Sequence, residues 1–93
     1  MKRPVRLSAA ASRDLIRLND FLEQKSPPAA RKASETISAK LRTLTESAGR
    51  GRPLGGGIRE LRIRFGRDGY VARYRVREGS VLITRIFHIR ENR

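Results

Sequence analysis

The chain has no cysteine and no tryptophan, and only one histidine and one methionine. Without cysteine there is no disulfide to staple a small fold, no thiolate nucleophile and no thiolate metal site. The absence also fits a reducing compartment. A lone histidine, His88, gives too few ligands for a zinc centre, so neither a metal nor a cofactor is expected. No apolar run approaches the ~20 residues that cross a bilayer, and the N-terminus lacks the apolar stretch of a secretory signal. The expected setting is the cytoplasm, with no membrane partner. Beyond Ala48 there is no lysine either.

What replaces lysine there is arginine. Twelve arginines follow Ala48, against Glu60, Asp68, Glu78 and Glu91, so this half carries +8 of the total +13. Arginine rather than lysine suits a flat, permanently charged fork that must grip carboxylate or phosphate. Such a charge on 93 residues attracts polyanions or an acidic protein. A basic surface that serves only solubility would use lysine equally well.

The length allows one domain. Arg3 to Leu7 alternates and suits a short strand. Ser8 can cap a helix from Ala9 to Lys25, where Ala11, Leu15, Leu18 and Leu22 form the apolar stripe. Ile16 and Phe21 widen that stripe, while Arg13, Asp14, Arg17, Asp20 and Glu23 belong on the outside. Ser26-Pro27-Pro28 ends this helix and opens another. There Ala30, Ala33, Ile37, Leu41 and Leu44 run to about Ser47, and the short link implies an antiparallel hairpin. Residues 48–57, with five glycines and one proline, read as a loop. They lack the Gly-Lys-Ser/Thr ending of a phosphate-binding loop.

Three strands follow. Ile58–Phe65 sets Leu61, Ile63 and Phe65 against Glu60, Arg62 and Arg64. After the turn signal Arg67-Asp68-Gly69, Tyr70–Val76 sets Tyr70, Ala72, Tyr74 and Val76 against Val71, Arg73 and Arg75. Glu78-Gly79-Ser80 turns the chain into Val81–Ile89, which is apolar on both faces and hence interior to the sheet, with the N-terminal strand at its other side. The expected fold class is α+β, β-α-α-β-β-β, an antiparallel sheet with a helical hairpin packed on one face. The other face would hold Arg62, Arg64, Arg73, Arg75, Val71, Leu82 and Ile86. Mixed apolar and cationic character on an uncovered face marks a binding surface. The tail Arg90–Arg93 reads as disordered.

The strings Leu7-Ser8-Ala9-Ala10-Ala11, Asp14-Leu15, Gly51-Arg52-Pro53, Arg59-Glu60-Leu61, Gly69-Tyr70, Tyr74-Arg75-Val76 and Ile83-Thr84-Arg85-Ile86-Phe87-His88 occur in an order that resembles the RelE/ParE superfamily of bacterial toxin–antitoxin toxins. The resemblance spans nearly the whole chain and implies one toxin domain over residues 1–93. RelE-like members are ribosome-dependent mRNA endonucleases that use sheet cations. On that branch Arg62, Arg64, Arg85 and His88 would be catalytic, the cations stabilising a pentavalent phosphate. Val71, however, stands where those enzymes place an arginine, and the tail is too short for their late tyrosine. The chain is more similar to the ParE branch, which implies no catalytic residue, inhibition of DNA gyrase, and neutralisation by a ParD-type antitoxin through which the complex would bind operator DNA.

By that resemblance an acidic antitoxin tail would fold on binding. It would meet Leu15, Leu18 and Leu22 on the hairpin and Arg62, Arg64, Val71, Arg73, Arg75, Leu82 and Ile86 on the sheet. Arg85, His88 and Arg90 would meet the target. Read bottom-up, His88 suits a hydrogen-bonded structural role better than that of a general base, Tyr70 and Tyr74 read as core, and Glu60 as half of an ion pair. A plain nucleic-acid-binding module is the third reading, supported by charge but by no helix-turn-helix, zinc or aromatic RNA-binding signature.

Overall fold

The computed structural model of the protein describes residues 2–91. Its elements in chain order are β1 (Val5–Leu7), α1 (Ala9–Lys25), α2 (Pro27–Arg42), β2 (Arg52–Gly55), β3 (Ile58–Ile63), β4 (Tyr70–Val76) and β5 (Val81–His88), with 3-10 turns at Thr43–Thr45 and Ala48–Arg50. Ser8 starts α1 as expected. Its hydroxyl accepts from the Ala11 N–H and donates to the Thr84 carbonyl, both at 3.0 Å, so one side chain caps the helix and ties it to β5. Ser26 is the whole link between the helices. Its N–H closes α1 onto the Leu22 carbonyl while its hydroxyl accepts from the Ala29 N–H to open α2.

The helical hairpin lies on one face of the sheet, α1 over β5 and α2 reaching β3. Between the layers sit Ala11, Leu18, Ala33, Ile37, Leu41 and Leu44 from the helices, and Leu61, Ile63, Tyr70, Ala72, Tyr74, Val81, Ile83 and Ile86 from the strands. The periodic stripes thus bury most of what their spacing indicated, but Ile16 and Phe21, expected to widen the first, face outward and are 62% exposed.

The strand order is β1-β5-β4-β3-β2, and four features depart from expectation. First, the sheet is mixed: β1 runs parallel to β5, pairing Val5 with Val81 and Leu7 with Ile83. The chain leaves β1 through two helices across the sheet face, a crossover long enough for a parallel pair. Second, the glycine-rich segment contains β2, antiparallel to β3. Gly51 admits it, because a Cβ there would lie 2.6 Å from the Tyr74 hydroxyl and 2.9 Å from the Glu60 carbonyl oxygen. The Tyr74 hydroxyl accepts from the Gly51 N–H at 2.7 Å and donates to the Ala48 carbonyl at 2.8 Å, pinning this segment to the sheet.

Third, the β4–β5 register shifts: Arg73 pairs with Arg85, but Tyr74 pairs with Ile83. Thr84 is the extra residue, its hydroxyl donating to the Arg73 carbonyl at 3.1 Å. This bulge changes the alternation of β5. Ile86, expected on the arginine face, turns to the core and is 0% exposed; Phe87 takes the outer face beside Val71. Fourth, β3 ends at Ile63, since the chain must turn through Gly66 and Gly69. Gly69 has φ of +120°, and a Cβ there would meet the Ile63 carbonyl oxygen at 2.2 Å, so no other residue fits.

The C-terminal tail expectation fails for its first two residues. Arg90 pairs with Asp68 at 3.0 Å and Glu91 pairs with Arg17; Asn92 and Arg93 lie outside the described residues. Among the described residues no helix is long and apolar enough to cross a membrane.

Candidate functional site

The sheet face away from the helices carries a charged row that crosses four strands. Arg52 on β2 pairs with Glu60 on β3, Glu60 with Arg73 on β4, and Arg73 with Arg85 on β5. Like charges side by side on neighbouring strands repel, and the structure answers with two carboxylates. Glu60, 7% exposed, accepts from Arg52 and Arg73, each at 3.3 Å. It forms the ion pairs expected of it.

The second carboxylate comes from α1. Asp14, placed outside by its polarity, is 4% exposed. Its Oδ2 accepts from Arg85 Nε and from the Ile86 backbone N–H, both at 2.8 Å, and its Oδ1 accepts from Arg85 and Arg17, both at 3.1 Å. The reason lies in the fold. β1 pairs only with Val81–Ile83, so the rest of β5 presents an open edge, and Asp14 supplies the acceptor that a neighbouring strand would have given. Burial opposes ionisation of Asp14, but the bonds from Arg85, Ile86 and Arg17 outweigh it and hold the carboxyl below its ordinary value. A signal was present in the sequence: Asp14 sits three residues after Ala11 and four before Leu18, within the inner stripe.

Around the row lie three apolar residues, Phe87, Val71 and Leu82. Phe87 has the Arg85 carbon Cζ 4.7 Å and the Arg73 Cζ 5.5 Å from its ring centroid. Val71, next to it in the register, is 1% exposed. Leu82 pairs with Arg75, whose guanidinium donates to the Gly56 carbonyl at 2.9 Å. Arg62, opposite Val71, and Arg64 are exposed and have no ion pair among the described residues. The expectation that the arginines of this face serve an acidic partner is therefore corrected for Arg73, which Glu60 neutralises, and Arg85, expected to meet the target, is likewise held by Asp14. Arg62, Arg64 and Arg75 meet no carboxylate among the described residues.

The structure separates other residues that the sequence grouped. His88 pairs with Tyr70 and meets its ring edge-on at 5.5 Å, so it stands on the helical side, opposite the arginine face. Its Nδ1 accepts from the Arg90 N–H at 3.1 Å, the structural role expected of it. Arg62, Arg64, Arg85 and His88 therefore share no common centre. Leu15 and Leu22 pack against the core and Leu18 is part of it, although Leu18 and Leu22 also line a groove beside α1. No cluster of metal-ligating side chains occurs among the described residues.

Residues 5–93 match the family described as the ParE toxin of the type II toxin–antitoxin system parDE. The chain belongs to this ParE toxin family. It is 43% identical over 89 residues to the toxin RelE1 of Caulobacter vibrioides, covering 96% of each chain, and 38% identical over 89 residues to that organism's toxin RelE3, covering 96% of this chain and 97% of the relative. Among solved structures it resembles one from the chromosomal ParDE system of P. aeruginosa, with a TM-score of 0.81, 25% identity, and coverage of 95% of this chain and 97% of the other. The strand-helix-helix-sheet order inferred from sequence is the fold of this ParE-family toxin, and such a toxin has an antitoxin counterpart.

Proposed function

We propose that this ParE-family toxin acts by binding rather than by cutting RNA, with DNA gyrase as its target and a ParD-type antitoxin as its neutralising partner. The separation of the cations from the histidine carries this reading. Phosphodiester cleavage needs a group that moves a proton within reach of the cations that stabilise the phosphorane. Here His88 and the arginine row lie on opposite faces of the sheet, and Asp14 and Glu60 already hold Arg85 and Arg73. Val71, buried between Arg62 and Phe87 in the register, offers no charge. A surface with Arg62, Arg64 and Arg75 around a small apolar floor suits protein recognition: cations steer an acidic partner in, and stacked aromatic area anchors it.

On this reading residues 1–93 act as one cytoplasmic toxin domain without a cofactor, and the antitoxin carries any operator-DNA contact of the complex. Leu82 and the arginines of the sheet meet the antitoxin, while His88, on the helical side, and Arg90 belong to target contacts; Val71, 1% exposed, lies beneath the surface and meets neither. The RelE names of the Caulobacter relatives favour a second reading, ribosome-dependent mRNA cleavage. A supercoiling assay with purified gyrase, run beside in vitro translation of a reporter mRNA, decides between them. Loss of supercoiling with intact mRNA supports the proposal; full supercoiling with mRNA cut at the ribosomal A site refutes it.

A further inference from the structure

Beyond its pairing with β1, the edge of β5 is sealed by side chains, and the seal weakens along the strand. The Thr84 carbonyl accepts from the Ser8 hydroxyl at 3.0 Å, and the Ile86 N–H donates to Asp14 at 2.8 Å. Further on, the Ile86 carbonyl accepts from Arg17 at 3.4 Å and the His88 N–H donates to Glu91 at 2.8 Å. The Asp14 side chain is 6% exposed, but those of Arg17 and Glu91 are 43% and 34% exposed. Arg17 joins the two ends: its Nη2 holds Asp14 and the Ile86 carbonyl, and its Nη1 holds Glu91. Past the bond from the Ile89 N–H to the Gly69 carbonyl, the chain turns back on itself. The Arg90 N–H donates to His88 Nδ1 at 3.1 Å and the Glu91 N–H to the His88 carbonyl at 2.9 Å. Two ion pairs hold this turn to the body: Glu91 to Arg17, and Arg90 to Asp68 at 3.0 Å, whose side chains are 71% and 30% exposed. Neither Arg90 nor Glu91 belongs to the apolar core.

We propose that Arg90 and Glu91 form a salt-sensitive strap, which opens while the rest of the chain stays folded. It is released when Arg17 lets go of Glu91 and Asp68 lets go of Arg90, and Asp14 meanwhile keeps α1 on the sheet. Local openings of this kind start where few apolar contacts hold a segment. Opening frees the His88 N–H and removes one wall of the groove beside α1, a concavity of about 640 Å³ lined on that side by Arg90 and Glu91. Ionic strength drives the motion. Dissolved salt weakens both exposed pairs and screens the buried Asp14 cluster much less. Salt also relieves the self-repulsion of a chain with a net charge of +13. Opening of the strap and unfolding of the whole chain therefore respond to salt with opposite sign. The inference concerns the chain's own motion and holds whichever macromolecule the toxin meets.

The test compares two amides of one strand by hydrogen exchange, read by NMR on the full chain at fixed pH. Raising sodium chloride from about 0.01 M to about 1 M collapses the reach of exposed charges. Exchange at His88 should then quicken about fivefold, the worth of one exposed ion pair. Exchange at Ile86, held by the buried Asp14, should stay level or slow. The double variant Asp68→Asn/Glu91→Gln keeps the shape of both side chains and an oxygen for the His88 N–H, but not their charge. In dilute buffer its His88 amide should already exchange about as fast as that of the wild type in high salt, with Ile86 changed by less than about twofold. Thermal melts confirm that the variant folds, and the wild-type salt series decides the matter without it. Equal exchange at His88 and Ile86, slowing together as salt is added, would overturn the strap, because the turn would then open only with the whole chain. A salt response in the double variant as large as that of the wild type would overturn the two ion pairs as its latch.

Discussion

Replacing Asp14 tests how α1 is held to the sheet. In Asp14→Ala the Ile86 N–H, buried with its 2.8 Å bond to Asp14, loses its acceptor, at a cost of about 1–3 kcal/mol. The Arg85 and Arg17 side chains are 46% and 43% exposed, so water takes over their donors, and each adds less than about 1 kcal/mol. The total loss is about 2–4 kcal/mol, a fall in Tm of roughly 10–25 °C for a domain of this size. Asp14→Asn keeps an oxygen for the Ile86 N–H and loses only the charge, so it should cost about half as much. The effect has a defined pH dependence. Because the folded chain holds the Asp14 carboxyl below its ordinary value, its contribution is complete above the unfolded pKa of about 3.9 and fades as pH falls through the lower folded value. Urea denaturation of wild type and Asp14→Ala between pH 7 and pH 2 should therefore show a gap that is widest at neutral pH and closes in acid. Equal midpoints at pH 7, or a gap that grows as the solution is acidified, would refute this account of the β5 edge.

The remaining expectations concern single contacts. Tyr74→Phe leaves the Gly51 N–H and the Ala48 carbonyl without their shared partner and should cost about 1–3 kcal/mol in chemical denaturation; a midpoint within error of wild type would show that water replaces the hydroxyl. Gly69→Ala forces a methyl against the Ile63 carbonyl oxygen, and circular dichroism should show a melting temperature lowered by about 10 °C or more. Leu41, 6% exposed in the core, cannot become aspartate without an unpaired buried charge. Leu41→Asp should yield no cooperative melt, and a soluble variant with an unchanged transition would mean that the α2 stripe is not what packs on the sheet.

Most of the architecture could be read from periodicity. The 3.6-residue stripes of Ala11–Leu22 and Ala30–Leu44 and the two-residue alternation of Leu61–Ile63 and Tyr70–Val76 each point to one packing face. What escaped depends on how elements meet rather than on any element alone. The bulge at Thr84 is a defect of register between two strands and leaves no mark on the composition of β5, so Ile86 and Phe87 exchanged faces. The direction of β1 follows from the path of the helical crossover. β2 hides because glycine and proline weaken a strand signal, and it forms only because Gly51 fits beneath a tyrosine. At the site, the cationic character of the face was plain from the run of arginines, and Glu60 was recognised as their partner. Asp14 was not, because a carboxylate on a helix is ordinarily solvated, and only the open edge of β5 makes this one buried.

The arginines of this face that meet no carboxylate among the described residues, Arg62, Arg64 and Arg75, cannot be switched off by protons, since arginine keeps its charge throughout the range in which proteins remain folded. Attraction toward this surface is therefore insensitive to acidity and answers to dissolved ions. Between dilute buffer and about 0.15 M salt the reach of an exposed charge shrinks from roughly 30 Å to 8 Å, so the rate at which this toxin captures an oppositely charged molecule is set by the ionic content of its surroundings.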